Sequence, residues 1–343
     1  MGSIDEKNGY ENDPESCFLS QSRMQESQSI WMASAPGEAY GRLTTNVSVD
    51  VAVVGGGLAG IVTAFMLAQD GARVAVVESG RIGAGVTGYT TAKVTIGHGL
   101  IYGELASNAG EDYARAYAEA NQWGLSWLTS LPIECDLRRK PMVVFAESQE
   151  EREGLQKDFA LLRSWGMNVE WTDRLTLPVS TMGGVSYPDQ AEIHPRKLLL
   201  GLAEELIRAG GQIFEETRML EIEDGEPCVV RTDRGEVRCS RFVIASHYPV
   251  YDPTGLFSRL APYRDYALAA KVNGPMPVEM SIGAGKEAKA FRTCPSGEGE
   301  LLIVSGESHK VGQSDAQEAY ANLEDYTRMH FDLQEVPVRF STQ

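Results

Sequence analysis

The sequence has few of the residue patterns that hold disulfide-rich domains or metal centres together. Its 343 residues include five cysteines, an odd number, and none of them stands in a Cys-x-x-Cys pair. Scattered cysteines of this kind fit reduced thiols better than a disulfide framework. The five histidines show no ligand spacing such as His-x-x-x-His, so we predict no metal site. The cysteines are Cys17, Cys135, Cys228, Cys239 and Cys294.

Long hydrophobic runs and an excess of positive charge are also missing. No apolar stretch approaches a membrane span, and the first residues are polar and acidic, unlike a signal peptide. The formal net charge of −17 disfavours nucleic acid and anionic membrane surfaces as partners, so we expect a cytoplasmic protein. A Gly-x-Ser-x-Gly nucleophile elbow and a P-loop are lacking, which disfavours hydrolases and kinases.

What is present is a dinucleotide-binding pattern. The largely apolar run 49–54 predicts a buried parallel strand, and Gly55-x-Gly57-x-x-Gly60 and an amphipathic helix follow it. The first glycine makes the tight turn, the second lets a pyrophosphate approach the backbone, and the third lets the helix pack on the strand. Glu78 ends the next strand, where a carboxylate binds ribose hydroxyls and would repel a 2′-phosphate, which disfavours NADP. The alternative is a glycine-rich turn that binds no nucleotide.

The segment 79–93 follows Glu78 and has no helical period. It is rich in glycine and hydroxyl side chains, which can present many backbone N–H and hydroxyl donors to a long polar ligand. One interpretation is a pyrophosphate and a flavin ring lying along it, and the other is a flexible surface loop. An NAD-linked dehydrogenase would usually continue into a second amphipathic helix, which makes that hypothesis the weaker one.

Together these motifs resemble the FAD-dependent oxidoreductases related to glycine oxidase and D-amino-acid oxidase. Within that family the sequence is most similar to the branch that often carries a C-terminal Rieske iron–sulfur domain. The most specific part is residues 85–93, and the likeness continues through 98–102, 190–195, 242–249 and 306–312. The resemblance implies an α/β fold, in which a Rossmann-like FAD-binding domain is combined with an interleaved α+β substrate domain built on an antiparallel sheet.

The resemblance also implies FAD as cofactor and a small amine or amino acid as substrate, which gives hydride from a C–H bond to the flavin. A separate electron acceptor is a possible partner. Arg292 is the candidate for binding a substrate carboxylate bidentately, and the alternative is a surface arginine. In the family the segment matching 216–219 holds the adenine, which selects Met219. The predicted cofactor-binding residues are Gly55, Gly57, Leu58, Ala59, Gly60, Glu78, Ser79, Arg81, Thr87, Gly88, Thr90, Thr91, Ala92, Lys93, Met219, Ala245 and Ser246.

The domain organisation follows from the same resemblance. We expect a flexible N-terminal tail of residues 1–42, whose end Ile30-Trp31-Met32 could pin to the body of the protein. A discontinuous FAD-binding domain of residues 43–110 and 190–255 follows. Residues 111–189 and 256–343 would form the substrate domain. The sequence stops before the segment that completes the flavin site in the family, and it has no Cys-x-His pair for a Rieske cluster, so we expect a truncated or split version. The alternative function is therefore an inactive flavin- or nucleotide-binding fragment.

Two further expectations concern helices outside the dinucleotide motif. A helix over residues 111–131 carries an aromatic stripe that includes Tyr113, Tyr117, Trp123 and Trp127, and large aromatic rings favour the core. Another helix begins at Pro195. His194, just before it, is expected to cap this helix, and an approach of its ring to the flavin is the alternative.

Overall fold

The computed structural model describes residues 28–297 and 299–342, which form three β-sheets and the helices packed on them. The α-helices are α1 (Ile30–Ser34), α2 (Leu58–Gln69), α3 (Ile101–Ala109), α4 (Glu111–Ser130), α5 (Gln149–Ser164), α6 (Pro195–Arg208) and α7 (Ala316–His330). Short 3-10 helices cover Val86–Tyr89 and Leu256–Arg259. The strands are β1 (Val47–Ser48), β2 (Val51–Val54), β3 (Val74–Val77), β4 (Lys93–Val94), β5 (Arg138–Phe145), β6 (Glu170–Thr172), β7 (Gly184–Glu192), β8 (Gln212–Phe214), β9 (Met219–Glu223), β10 (Cys228–Thr232), β11 (Gly235–Cys239), β12 (Arg241–Ile244), β13 (Tyr263–Asn273), β14 (Met280–Gly283), β15 (Ala290–Ser296), β16 (Gly299–Lys310) and β17 (Asp332–Thr342).

The first sheet is parallel, with the strand order β12-β2-β3-β8. Its two central strands consist of valine and alanine, which suit strands covered on both faces. Helices α2 and α6 cover one face, where Ile61, Phe65 and Leu202 join Val53 and Val76 in one core cluster. The second sheet, with the order β1-β11-β10-β9, covers the other face. The carboxyl ends of β2, β3 and β12 therefore share one edge, which is where sheets of this kind bind ligands.

The third sheet has nine strands and is mostly antiparallel. Eight of them follow the order β17-β13-β16-β15-β14-β5-β7-β4, and β6 pairs with β7. Leu268, Phe291 and Leu302 lie on one face and pack under α7. Ala269 and Ile303 lie on the opposite face and join the same core cluster as α2 and α6. The large sheet therefore packs directly against the layer that carries the glycine motif.

The N-terminal part of the described chain is anchored to this core. Helix α1 buries Trp31, which is 3% exposed, and Ser29 caps it with a hydrogen bond from the Met32 N–H. This burial agrees with the prediction that Ile30, Trp31 and Met32 fix the end of the tail to the body of the protein. Residues 1–27, which include Cys17, lie outside the described residues. The predicted domain boundaries stay a prediction.

Helix α4 forms where the sequence predicts it, but its aromatic residues are divided: Tyr117 and Trp127 pack against the core, whereas Tyr113 and Trp123 face solvent. Its core-facing residues include Ala114, Ala118 and Leu125, whereas Tyr113 is 60% and Trp123 is 59% exposed. Alanine side chains allow α4 to lie close to its neighbour α3, and this leaves the bulky rings facing solvent. The prediction of an aromatic core stripe is therefore wrong for these two rings.

Two observations bear on the function classes raised by the sequence. Within residues 28–297 and 299–342, the helices are all too short or too polar to cross a bilayer. The same residues contain no group of three or more His, Cys, Asp or Glu side chains that could hold a metal ion. The four described cysteines are buried free thiols: Cys135, Cys228, Cys239 and Cys294.

His194 caps α6, as the sequence predicts. Its Nδ1 accepts a hydrogen bond from the Lys197 N–H at 3.2 Å, and its Nε2 lies 2.9 Å from the Ser34 hydroxyl. The side chain is 4% exposed, and burial lowers the pKa of His194 to about 4 although the charge of Asp136 acts in the opposite direction. The ring is therefore neutral at physiological pH.

We expect the buried neutral ring of His194 to make the fold sensitive to acid. The His194 ring takes up a proton near pH 6.5 in the unfolded chain and near pH 4 in the folded protein. The contribution of the neutral ring to the free energy of unfolding is therefore complete above pH 6.5 and is lost as the pH falls toward 4. In His194→Asn the cap acceptor remains but does not titrate. Between about pH 7 and pH 4, the wild type should lose roughly 3 kcal/mol more free energy of unfolding than this variant.

Urea unfolding at the two pH values measures the difference. His247→Asn is the control, because His247 is exposed and sits in a left-handed backbone conformation that asparagine tolerates. The control should lose as much stability on acidification as the wild type. If His194→Asn lost as much stability on acidification as the wild type, the buried neutral ring of His194 would not be the cause of the acid sensitivity.

Candidate functional site

The three motif glycines lie where β2 meets α2. Gly55 has a φ of +113°, and a Cβ there would lie 2.4 Å from the carbonyl oxygen of Ala245. A Cβ at Gly60 would lie 1.9 Å from the carbonyl oxygen of Gly55. Both positions require glycine because the backbones approach too closely for a side chain. At Gly57, which caps α2, a Cβ would meet just the Thr87 hydroxyl, at 3.4 Å, so the space in front of the helix is open.

The Glu78 carboxylate lies against this turn. Its Oε2 accepts a hydrogen bond from the Gly56 N–H at 2.7 Å. Its Oε1 accepts one from the Gly80 N–H at 2.8 Å and lies 3.2 Å from the Ser79 hydroxyl. Backbone donors therefore hold the carboxylate at the end of β3, beside the helix N-terminus. This is the position at which an acidic residue binds a ribose in dinucleotide folds.

Residues 79–93, which we call the threonine loop, run from Glu78 to the large sheet past the start of α2. The Thr87 hydroxyl accepts a hydrogen bond at 3.0 Å from the N–H of Leu58, the first residue of α2. The loop ends in β4, where Lys93 lies opposite Glu192 of β7 in the antiparallel strand register. The predicted residues from Gly55 to Lys93 therefore follow one path from the parallel sheet to the large sheet.

Lys93 is a partly buried lysine at the end of this loop. Its Nζ lies 3.2 Å from the Thr91 hydroxyl. Burial lowers the pKa of Lys93 to about 7, the positive charge of Arg292 acts in the same direction, and the Glu192 carboxylate opposes both. An ordinary lysine is fully charged at neutral pH, whereas Lys93 is partly deprotonated there.

Arg292 lies in the core, where it is 1% exposed. Its Nη1 donates to the carbonyl oxygens of Thr91 at 2.9 Å, Ala92 at 2.7 Å and Ile193 at 3.1 Å. Its Nε lies 3.4 Å from the buried Glu192 carboxylate. Arg292 is therefore not a surface arginine, because it is buried. It also does not fit a residue that binds a substrate carboxylate, because its guanidinium already donates to three backbone carbonyl oxygens. Arg292 instead holds the threonine loop.

The last predicted residues lie beyond the glycine turn. Ala245 follows β12 and its N–H donates to the carbonyl oxygen of Val54 at 2.7 Å, which places it beside the motif. Ser246 comes next, and its hydroxyl donates to the carbonyl oxygen of Tyr248 at 2.6 Å. Met219 begins β9 in the second sheet and is partly buried. The structure therefore places Ala245 at the same edge as Glu78 and Met219 in the neighbouring sheet.

Sequence reasoning missed Glu215, which is 1% exposed. One of its oxygens accepts a hydrogen bond from the Ile82 N–H in the threonine loop, and the other accepts one from the Tyr40 N–H, both at 2.8 Å. It also pairs with Arg81 at 2.7 Å, so Arg81 is bound to the protein's own carboxylate. Its position directly after the parallel strand β8, at the ligand-binding edge, is the signal that could have found it.

Comparisons with known proteins place this geometry in context. A family model described as "FAD dependent oxidoreductase" matches residues 50–340. The chain is 31% identical to the "Putative Rieske 2Fe-2S iron-sulfur protein YhfW" of Bacillus subtilis, over 92% of this chain and 64% of that protein. It is 28% identical to the gamma-glutamylputrescine oxidoreductase of Escherichia coli, over 64% of this chain and 54% of that protein. The chain therefore spans less than two thirds of the length of either relative.

Solved structures share the fold. The glycine oxidase of Geobacillus kaustophilus superimposes with a TM-score of 0.64 at 21% identity, over 86% of this chain and 82% of that one. The α/β fold class predicted from the sequence, with a nucleotide-binding layer and an antiparallel sheet, is confirmed.

The open space at Gly57 gives a direct test of the dinucleotide site. Gly57→Ala places a methyl group in front of the α2 N-terminus without a backbone clash, so we expect a folded protein that binds FAD at least roughly tenfold more weakly. Gly124→Ala is the control, since Gly124 lies in α4 with open space around its Cβ position. Quenching of flavin fluorescence measures both affinities. Equal affinities for the two variants would place the pyrophosphate elsewhere.

Proposed function

Because the chain belongs to the family of FAD-dependent oxidoreductases, we propose that it binds FAD along the shared edge of the parallel sheet and oxidises an amine or amino acid. One observation carries the proposal. The Glu78 carboxylate, the open helix N-terminus at Gly57 and the threonine loop lie in sequence along one edge, as a dinucleotide cofactor requires. When bound, FAD supplies the hydride acceptor, and the protein supplies binding and orientation.

The nucleotide end of the cofactor would be held by charge and backbone donors. The N-terminus of α2 offers N–H groups and the positive end of the helix dipole to a pyrophosphate. Glu78 would accept hydrogen bonds from the ribose hydroxyls with the lone pairs that Gly56 and Gly80 leave free. The donor set therefore fits an ADP moiety, and the acidic side chain disfavours a 2′-phosphate.

The flavin end would lie along the second half of the threonine loop. Lys93 ends this loop, and in its protonated form it offers a positive charge to the polar edge of the cofactor. The amine would enter from the side of the large sheet and deliver its hydride directly. Such a transfer needs no protein base if the substrate arrives with a neutral amine, so the proposal requires no acid–base pair in the protein.

The names of the relatives support this substrate class. One is a glycine oxidase and another is a gamma-glutamylputrescine oxidoreductase, which act on an amino acid and on an amine. The relative named as a Rieske iron–sulfur protein supports an iron–sulfur group as electron acceptor. A cytoplasmic location is part of the proposal, and the buried free cysteines support it.

The visible spectrum tests the proposal. We expect purified protein reconstituted with FAD to be yellow and to keep its flavin absorbance through gel filtration. Anaerobic addition of an amine or amino acid from a graded panel should bleach that absorbance, because hydride transfer reduces the flavin. A protein that retains no flavin would refute the proposal, and one that retains flavin but is bleached by no member of the panel would favour the inactive binding fragment.

Lys93 should make FAD binding depend on pH. The ammonium form predominates below about pH 7, so wild-type affinity should fall severalfold as the pH rises from 6 to 8.5. Lys93→Met should bind FAD with an affinity that no longer changes over this range. Lys286→Met, which removes an exposed lysine, should retain the wild-type pH profile. Fluorescence titrations at several pH values measure the effect, and a pH-dependent Lys93→Met variant would assign the titration to another group.

A further inference from the structure

Residues 28–36, which we call the N-terminal strap, contact the threonine loop at residues 88–90. The Ser29 hydroxyl donates to the carbonyl oxygen of Gly88, and Ser29 is fully buried. The Met32 side chain packs on Gly88 so closely that a Cβ there would lie 2.7 Å from its sulfur atom. The Trp31 indole N–H donates to the carbonyl oxygen of Thr90 at 2.7 Å. Ser29, Trp31 and Met32 therefore all contact residues 88–90 of the loop.

Two buried arginines complete this arrangement. Arg196 of α6 donates to the carbonyl oxygens of Ala35 and Pro36 in the strap and, at 2.8 Å, to that of Ile82 in the loop. The guanidinium of Arg292 lies 5.2 Å from the centre of the Trp31 ring, within the range of a cation–π contact. Arg292 in turn binds the carbonyl oxygens that follow Thr90 along the loop. The strap and these arginines thus hold the loop at its start, middle and end.

The consequence lies on the other side of the loop. Trp31 and Arg292 bind the carbonyl oxygens of residues 90–92 from one side. In a planar trans peptide the N–H points opposite to the carbonyl, so the N–H groups of residues 91 and 93 point away from Trp31 and Arg292, whereas the Ala92 N–H donates to the Thr90 hydroxyl at 3.1 Å. Ala92 has a φ of +57°, a left-handed conformation that costs a non-glycine residue free energy. A left-handed residue next to ordinary backbone is typical of the nests that present N–H groups to anionic or polar ligands.

We propose that the N-terminal strap is a positioning element for the cofactor, which fixes the backbone of the threonine loop so that its donors face the flavin end of FAD. This inference rests on the proposed function, because it concerns the same site. Trp31 is a positioning residue here, since it acts through the carbonyl oxygen of Thr90 and through Arg292.

The test removes one hydrogen bond and keeps the ring. Trp31→Phe retains the aromatic contacts with Arg292 and His194 but loses the N–H that binds Thr90. We expect its dissociation constant for FAD to rise roughly fivefold, the effect of one lost hydrogen bond. Trp165→Phe is the matched control, because it loses an indole N–H bond to Glu111, at 3.0 Å, outside the strap and the loop. Its FAD affinity should equal that of the wild type.

Hydrogen–deuterium exchange of the FAD-free proteins supplies a second readout. Trp31→Phe should exchange faster than the wild type in residues 86–93 and at the wild-type rate in α4, whereas Trp165→Phe should leave residues 86–93 unchanged. A Trp31→Phe variant with the wild-type affinity and exchange would overturn the inference while the proposed function stands. A wild-type chain that takes up no FAD would instead overturn the proposed function, and this inference with it.

Discussion

The candidate site depends on how closely helix α2 approaches the end of strand β2. Because Gly60 has no side chain, the helix backbone can lie against the carbonyl oxygen of Gly55. A Cβ at residue 60 would clash with that oxygen. That contact fixes where the first N–H groups of the helix point and where their dipole acts. The Thr87 hydroxyl reaches one of these groups, and Glu78 binds the turn itself. A shift of the helix would displace all of these groups together.

A second constraint is electrostatic and lies between the large sheet and the threonine loop. Glu192 is fully buried and faces Arg138, Arg292 at 3.4 Å and Lys140 at 3.5 Å. A buried carboxylate is tolerated when cations and donors surround it, and removal of one partner is costly. Lys93 adjoins this cluster. Burial lowers the pKa of Lys93 most, the charge of Arg292 lowers it further, and the Glu192 carboxylate opposes both. The buried setting in which this cluster anchors the loop therefore also makes the last lysine of the loop easy to deprotonate.

Much of the fold could be predicted from the sequence, because the decisive features are local. The strand, the glycines and Glu78 form a pattern in which each residue has a separate physical task, and His194 stands directly before its helix. The misplaced residues depend on tertiary packing instead. Nothing local distinguishes the outward rings of Tyr113 and Trp123 from core rings, since the alanine face of α4 is what decides. Likewise the burial of Arg292 and the hydrogen bonds of Glu215 depend on partners far along the chain.

This distance along the chain implies an order of assembly. Strand β2, helix α2 and strand β3 are consecutive, so the turn that faces the nucleotide can form while later residues are still being synthesised. Trp31 meets Arg292 only after β15 has joined the large sheet, and contacts between such remote residues form slowly. The edge that carries the glycine turn also needs β8 and β12, and both of these strands precede β15 in the chain. The threonine loop, which Trp31 and Arg292 hold, therefore takes its final shape after β15 has been synthesised.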